Sequence, residues 1–187
     1  MKFGESSYRR FLAGEESAFD ELIDTYHEGL IFFIQRYVHN LDEAEDIAED
    51  CFVELIVHPH RYNFKVSLKT YLFTIARNKS VDYIRHHAVL NVVSLDDGVD
   101  ACQKSAEYEK FEDRILRDER RRAVNRAVEQ LNEEMRTVIH LIYFEDMSYD
   151  EAGRVMKKSR KQMENLAYRA RNALRVILTK EGWNHEN

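Results

Sequence analysis

Apolar residues recur at three- and four-residue spacings along most of this chain, the pattern of amphipathic helices rather than strands. A short helix is predicted from Ser6 to Leu12, ending at Gly14. A longer one starts near Ser17, with Ala18, Leu22, Ile23, Tyr26, Leu30, Phe33, Ile34 and Tyr37 on one side and His39-Asn40 at its end. Gly29 interrupts it at a cost of about 1 kcal/mol relative to Ala, which packing can override. Asp42 is the expected N-cap of the next helix. Its stripe is Ala44, Ile47, Ala48, Cys51, Phe52, Leu55 and Ile56, and His58-Pro59-His60 stops it. A polar and aromatic loop, 58–67, leads to Ser67, the cap of a helix whose Leu68, Tyr71, Leu72, Ile75 and Ala76 face inward. The pattern fades after Ala88, and Asn91 to Glu109 reads as a linker. Periodicity resumes near Phe111, continues through Val124, Ala127, Val128 and Leu131, and then through Met135, Val138, Ile139, Leu141 and Ile142 behind the cap Asn132.

The last two predicted helices carry the clearest chemistry. Ser148 followed by Glu151 is a capping box. Ala152, Val155 and Met156 make one apolar side of a short helix. Lys157-Lys158-Ser159 breaks the pattern, and Ser159 can cap a second helix. Met163, Leu166, Ala167, Ala170 and Leu174 face inward there, while Arg160, Lys161, Gln162, Asn165, Tyr168, Arg169, Arg171 and Arg175 face out. A short helix, a tight turn and a longer cationic helix outline a DNA-binding helix-turn-helix, with small Ala152 and Gly153 permitting close approach. An ordinary helical hairpin with a solvated basic face would share this outline.

Composition narrows the class. One proline and six glycines in 187 residues suit long helices, and 44% hydrophobic residues suffice for a core. No apolar run is long enough to span a bilayer, the N-terminal residues lack a secretory apolar segment, and Cys51 and Cys102 form no ligand spacing, so a cytoplasmic protein without metal or other cofactor is expected. Cys51 falls in an apolar stripe and reads as a small core residue. The net charge of −6 is unevenly spread. Asp42 to Glu54 holds seven acids and no Lys or Arg; Arg61 to His87 holds six bases against Asp82; Arg154 to Arg175 holds eight bases against Glu164. One acidic surface for a protein partner and two basic surfaces for nucleic acid would account for this, as would solvated helix faces. Aromatics interleaved with bases in the second segment suit single-stranded nucleic acid, and core packing of Tyr71 and Phe73 would serve equally.

These segments together resemble the RNA polymerase sigma factors of the extracytoplasmic-function (ECF) type over almost the whole length. GEESAFDELIDTYHEGL is similar to that family's opening helix. EAEDIAEDCFVEL, Glu43 to Leu55, is similar to its polymerase-binding motif, with Glu49 where glutamine is usual. SLKTYLFTIARNKSVDYIRHH, Ser67 to His87, is similar to its promoter-melting and −10-reading helix, with Tyr71 where tryptophan is common. LNEEMRTVIHLIYFEDMSYDEAGRVM and the following helix are similar to its −35-reading domain. The recognition helix departs from the pattern: Lys157 and Lys158 replace a glycine and an aliphatic residue, and Gln162-Met163-Glu164-Asn165-Leu166 stands for the usual Thr-Val-Lys-Ser-Arg, while Arg169-Ala170-Arg171 is kept.

The resemblance implies an all-α chain of two helical domains joined by a flexible linker: 1–88 for polymerase and the −10 element, 89–120 as linker, and 121–187 with the helix-turn-helix for the −35 element. It implies that Glu45, Asp46, Glu49 and Asp50 dock on core RNA polymerase. Tyr62, Asn63, Lys69, Tyr71, Arg77, Asn78, Lys79 and Arg85 would hold the opened −10 strand. A flipped base would sit near His60, Tyr62, Asn63 and Phe64. Ser159, Arg160, Lys161, Gln162, Glu164, Asn165, Tyr168 and Arg169 would meet promoter DNA at −35, Glu164 either reading a cytosine amino group or serving as a surface charge. An anti-sigma protein commonly masks these surfaces in that family. No catalysis is implied.

Two rivals compete. A helix-turn-helix regulator that binds DNA without polymerase explains Ser148 to Arg175 but leaves the acidic helix and the Arg61–His87 surface without a role. An enzyme would need a site from His58, His60, His86 and His87. Adjacent His86-His87 point apart on a helix, and neither an H-E-x-x-H spacing, a glycine-rich phosphate loop nor a nucleophile elbow occurs.

Overall fold

The computed structural model describes residues 3–93 and 119–180. Among them the regular elements are helical. The first domain contains α1 (Phe3–Leu12), α2 (Ser17–Val38), α3 (Leu41–Val57), a 3₁₀ turn (Pro59–Arg61) and α4 (Leu68–Val93). The second contains α5 (Glu119–Glu129), α6 (Glu133–Ile139), a π-helical stretch (His140–Phe144), α7 (Tyr149–Met156) and α8 (Arg160–Lys180). The expected linker from Asn91 to Glu109 runs beyond α4 and, with Phe111 and Cys102, lies almost wholly outside the described residues.

Local chemistry accounts for the helix ends. His39 ends α2 in a left-handed conformation, φ 55°, its N–H donating to the Gln35 carbonyl. Asn40, not Asp42, caps α3: its side chain accepts from the Glu43 N–H, which puts Asp42 inside the helix, where its charge favours the positive dipole end. Ser67 caps α4 through the Thr70 N–H at 3.2 Å, and Asn132 caps α6 through the Met135 N–H at 3.0 Å. The Ser148–Glu151 capping box forms in both directions. Two helices differ from the apolar pattern. Helix α4 continues to Val93, past the expected end at Ala88. After Ile139 the chain widens into a π turn in which the Glu145 N–H donates to the His140 carbonyl, a five-residue span that re-aims the segment before α7.

The inward positions follow the stripes, with exceptions at the edges. Leu22, Leu30, Phe33, Ile34, Ala44, Ala48, Cys51 and Leu55 have essentially no exposure. Ile56 is 49% exposed, because it lies one step round α3 from Leu55, and Val124 is partly exposed at the rim of α5. Cys51 is a core residue, its thiol pushed up to about 12 by burial. Phe73 is fully buried against Phe33, with ring centroids 5.1 Å apart, so core packing claims it rather than nucleic acid. Nearly all the described buried apolar residues of the two domains, Ala18 and Ala127 apart, form one contiguous cluster.

Candidate nucleic-acid and partner interfaces

Helix α3 buries Ile47, Cys51, Phe52 and Leu55 against α2 and α4, and this orientation sends Asp46, Glu49 and Asp50 into solvent. Glu45 is half-buried. Glu43, Asp46, Glu49 and Asp50 with Ile47 and Val53 line one shallow groove. Val53, Ile56 and Val57 continue that face as an exposed apolar edge. The result is a strip that is acidic at its start and apolar at its end. It is not isolated from the cationic side: Lys79 on α4 pairs with Asp50 at 2.8 Å, and Arg61 pairs with Glu54.

The structure divides the residues expected to meet an opened strand. Asn63 and Arg85 are exposed, and Lys69, Tyr71, Arg77, Asn78 and Lys79 are half-buried. Tyr62 differs from expectation. It is 3% exposed, its ring packs on Tyr8, Phe64 and Tyr71, and its hydroxyl donates to the Val66 carbonyl at 2.8 Å. Its hydroxyl closes the 62–66 loop, so Tyr62 braces that loop instead of presenting a stacking face. Asn63 accepts from the Lys65 N–H at 3.1 Å around Phe64, whose φ is 60°. Arg9 covers the Phe64 ring at 3.9 Å, a cation–π contact. Arg77 lies beside the Tyr37 hydroxyl, and Arg85 is 3.7 Å from Asp82.

In the helix-turn-helix, Met163, Leu166, Ala167 and Ala170 bury one side of α8. Lys161, Glu164, Asn165, Tyr168 and Arg169 stand exposed on the other, Tyr168 by 61%. The turn is tight. Lys157 is left-handed, φ 55°, and a Cβ on Gly153 would lie 2.6 Å from the Lys158 carbonyl oxygen, so only glycine fits there. Ser159 and Gln162 form a second reciprocal cap: the Ser159 N–H donates to Gln162 at 2.8 Å and the Gln162 N–H to Ser159 at 3.3 Å. Gln162 is thereby partly committed to the helix start. Arg160 donates to Asp150 and Glu164, each at 3.0 Å, and these bonds hold its guanidinium above its ordinary pKa. Glu164 therefore orients Arg160. Arg171 donates to the Tyr143 hydroxyl at 2.9 Å.

A third set of residues meets at the seam between the domains; of these, sequence reasoning singled out Lys69, for the −10 strand, but not Glu145, Arg36, Glu129 or His140. Lys69 on α4 pairs with Glu145 at 2.7 Å and also donates to the Glu145 carbonyl at 2.6 Å. Nearly buried Arg36 on α2 pairs with Glu129 at 2.8 Å, and Tyr37 bonds Thr137 at 3.0 Å. Ser67 lies 3.3 Å from Glu151. His140 is fully buried among Phe32, Phe33, Phe73 and Phe144, with Glu145 3.4 Å from Nε2. Burial pulls its pKa down to about 4. Burial alone would raise the Glu145 carboxyl, but His140 and Lys69 bring it below its ordinary value. The only sequence signal was a lone histidine inside the apolar run from Val138 to Ile142.

The Sigma-70 region 2 family model matches residues 22–89, and the Sigma-70, region 4 model matches residues 121–174. The RNA polymerase sigma-H factor of Pseudomonas aeruginosa is 29% identical over 175 residues, 88% of each chain. The ECF RNA polymerase sigma factor SigW of Bacillus subtilis is 26% identical over 170 residues, 88% of this chain and 91% of that one. Among solved structures, RpoE of Bartonella quintana in complex with the anti-sigma factor NepR aligns with a TM-score of 0.66 at 21% identity, covering 86% of this chain and 96% of that one. CnrH in complex with the cytosolic domain of CnrY aligns at 0.68 with 20% identity, covering 96% and 99%. These two likenesses speak to the fold.

Proposed function

Because the chain belongs to the ECF-type sigma factors of RNA polymerase, carrying sigma-70 region 2 before region 4, we propose that it binds core polymerase and directs it to promoters by reading −10 and −35 elements. It acts by binding alone, without a reaction of its own. The observation that carries this reading is the presence of one acidic strip on α3 and of cationic surfaces on α4 and α8, each within a matched region. A basic partner surface would relieve the repulsion among the acids of α3 and speed encounter. Residues 1–88 and 121–187 are the two working units, with 89–120 between them.

Glu45, Asp46, Glu49 and Asp50 take the polymerase. Asn63, Lys69, Tyr71, Arg77, Asn78, Lys79 and Arg85 take the opened −10 strand, with Tyr62 shaping the loop beside them. Lys161, Asn165, Tyr168 and Arg169 face −35 DNA, supported by Ser159, Arg160, Gln162 and Glu164 at the helix start. One structural relative is solved with the anti-sigma factor NepR and another with the cytosolic domain of CnrY, and this chain is proposed to have an anti-sigma partner too. Such a factor works in the cytoplasm; among the described residues no helix is long and apolar enough to cross a membrane. Run-off transcription with core polymerase on genomic fragments tests the function. Discrete start sites that share upstream elements are expected, and transcripts no different from core polymerase alone would refute it.

A further inference from the structure

The seam between the domains cannot persist on a promoter. Elements named −10 and −35 lie about 25 base pairs apart, about 85 Å at 3.4 Å per base pair. Helices α4 and α8 hold 26 and 21 residues. At 1.5 Å per residue they reach only about 70 Å even if laid end to end. In the structure they are not end to end: α4 packs on α7, whose turn leads straight into α8, and Ser67 at the start of α4 touches Glu151 of α7. The domains must part before both elements can be read.

Glu145 sits where that parting is controlled. It belongs to the second domain, at the end of the π turn, yet its carboxylate and its carbonyl both hold the Lys69 ammonium of the first. Its side chain is only 13% exposed, so water screens the pair weakly. Glu145 also abuts Gly29 of α2, where a Cβ would come within 3.0 Å of its carboxylate oxygen. The residue therefore touches both helices of the first domain that form the seam. Lys69 in turn is one of the cations assigned to the opened strand, and a carboxylate occupies it as a phosphate would.

We infer that Glu145 is an autoinhibitory latch, which holds the two domains of the free chain closed and keeps Lys69 from DNA until a partner opens the seam. This rests on the proposed role of α4 in strand binding, and its test separates the two ideas. Small-angle scattering gives the radius of gyration of the full chain. Binding of a 30-nucleotide mixed-sequence single-stranded DNA, in the absence of polymerase, reports access to the α4 surface. Glu145→Lys sets like charges against each other at the seam, and Asp20→Lys, exposed on α2 nine residues before Gly29 and so on the opposite side of that helix, makes the same change in net charge away from it.

Wild type and Asp20→Lys should stay compact, near the radius of about 16 Å of a single body of this length. Glu145→Lys should expand and bind the DNA about tenfold tighter than Asp20→Lys, as one released charge-assisted hydrogen bond allows. If Glu145→Lys loses helical circular dichroism, Glu145→Gln takes its place with the same expectations. An unchanged radius in the folded variant, or a wild type already as large as the variant, would overturn the latch. Expansion without a gain over Asp20→Lys would overturn the claim that the latch keeps Lys69 from DNA and would remove Lys69 from the strand-binding surface.

Discussion

Lys79 reaches from α4 to within 2.8 Å of the Asp50 carboxylate on α3, so a cation assigned to the −10 strand and an acid assigned to polymerase neutralise each other in the free protein. Both are part-exposed, and such a pair contributes about 0.2–1 kcal/mol. Its interest is that polymerase and DNA would each draw away one member. Lys79→Ala and Asn78→Ala should cut transcription from duplex promoters more than from templates with a pre-opened −10 bubble, with melting temperature nearly unchanged. Equal losses on both templates would move these residues to another step.

Asp46 and Glu49 are exposed on α3 while Ile47, Cys51 and Phe52 anchor its other side. Reversing both charges, Asp46→Lys with Glu49→Lys, should abolish capture by core polymerase in a pull-down. Exposed substitutions away from packed features shift stability by about 0.5 kcal/mol or less, so the variant should still melt cooperatively. Retained capture by the folded variant would remove the main support for the docking surface.

On α8, Arg160, Lys161 and Arg169 are exposed. Replacing all three with alanine should weaken holoenzyme binding to a −35-containing promoter fragment. It should also flatten the dependence on salt by about 0.9 in log–log slope for each phosphate that the variant leaves unneutralised. Arg160→Ala alone should in addition loosen the helix start, because Asp150 and Glu164 lose their shared partner. Unaltered binding and slope in the triple variant would take α8 out of the interface.

The turn before α8 offers a stability test in both directions. Left-handed backbone costs a non-glycine residue about 1–2 kcal/mol, partly offset by the greater unfolded-state entropy of glycine. Lys157→Gly should therefore stabilise the second domain by about 0.5–1 kcal/mol in urea melts. Gly153→Ala drives a methyl group against the Lys158 carbonyl and should destabilise it by about 1–3 kcal/mol.

His140 makes stability depend on pH. Its neighbours include Glu145 on its own segment, Arg36 on α2 and Lys69 on α4, yet burial dominates and leaves the folded pKa at about 4. The unfolded value is about 6.5, so between these pH values the unfolded chain binds more protons. The contribution of neutral His140 is complete above pH 6.5 and falls away as pH drops toward 4. Urea melts at pH 7.5 and 5.5 should differ by about 1 kcal/mol more in wild type than in His140→Phe, a variant that keeps the aromatic packing. Equal pH dependence in both would show that another group carries it.

The helices, their caps and the three charged faces were legible in the sequence, because each depends on residues within one or two turns of one another. Stripes such as Ala44–Ile47–Ala48–Cys51 follow from helical geometry alone, and Ser148 with Glu151 closes its box without outside help. Asn40 in place of Asp42 at the cap is a two-residue adjustment of the same local logic. Tyr62 was not legible: an aromatic residue between polar ones reads as exposed, and its burial needs Tyr8 from the distant helix α1 and Tyr71 from α4 as well as its neighbour Phe64. The same holds for the seam. Lys69 was assigned only to the −10 strand, Glu145, His140 and Arg36 are unremarkable charges or apolar-run interruptions along the chain, and no spacing links residues that are 76 or 93 positions apart. Lys69 pairs with Glu145, and Arg36 with Glu129, because two separately patterned cores merge into one and burial at the junction leaves these charges their partners in the other domain.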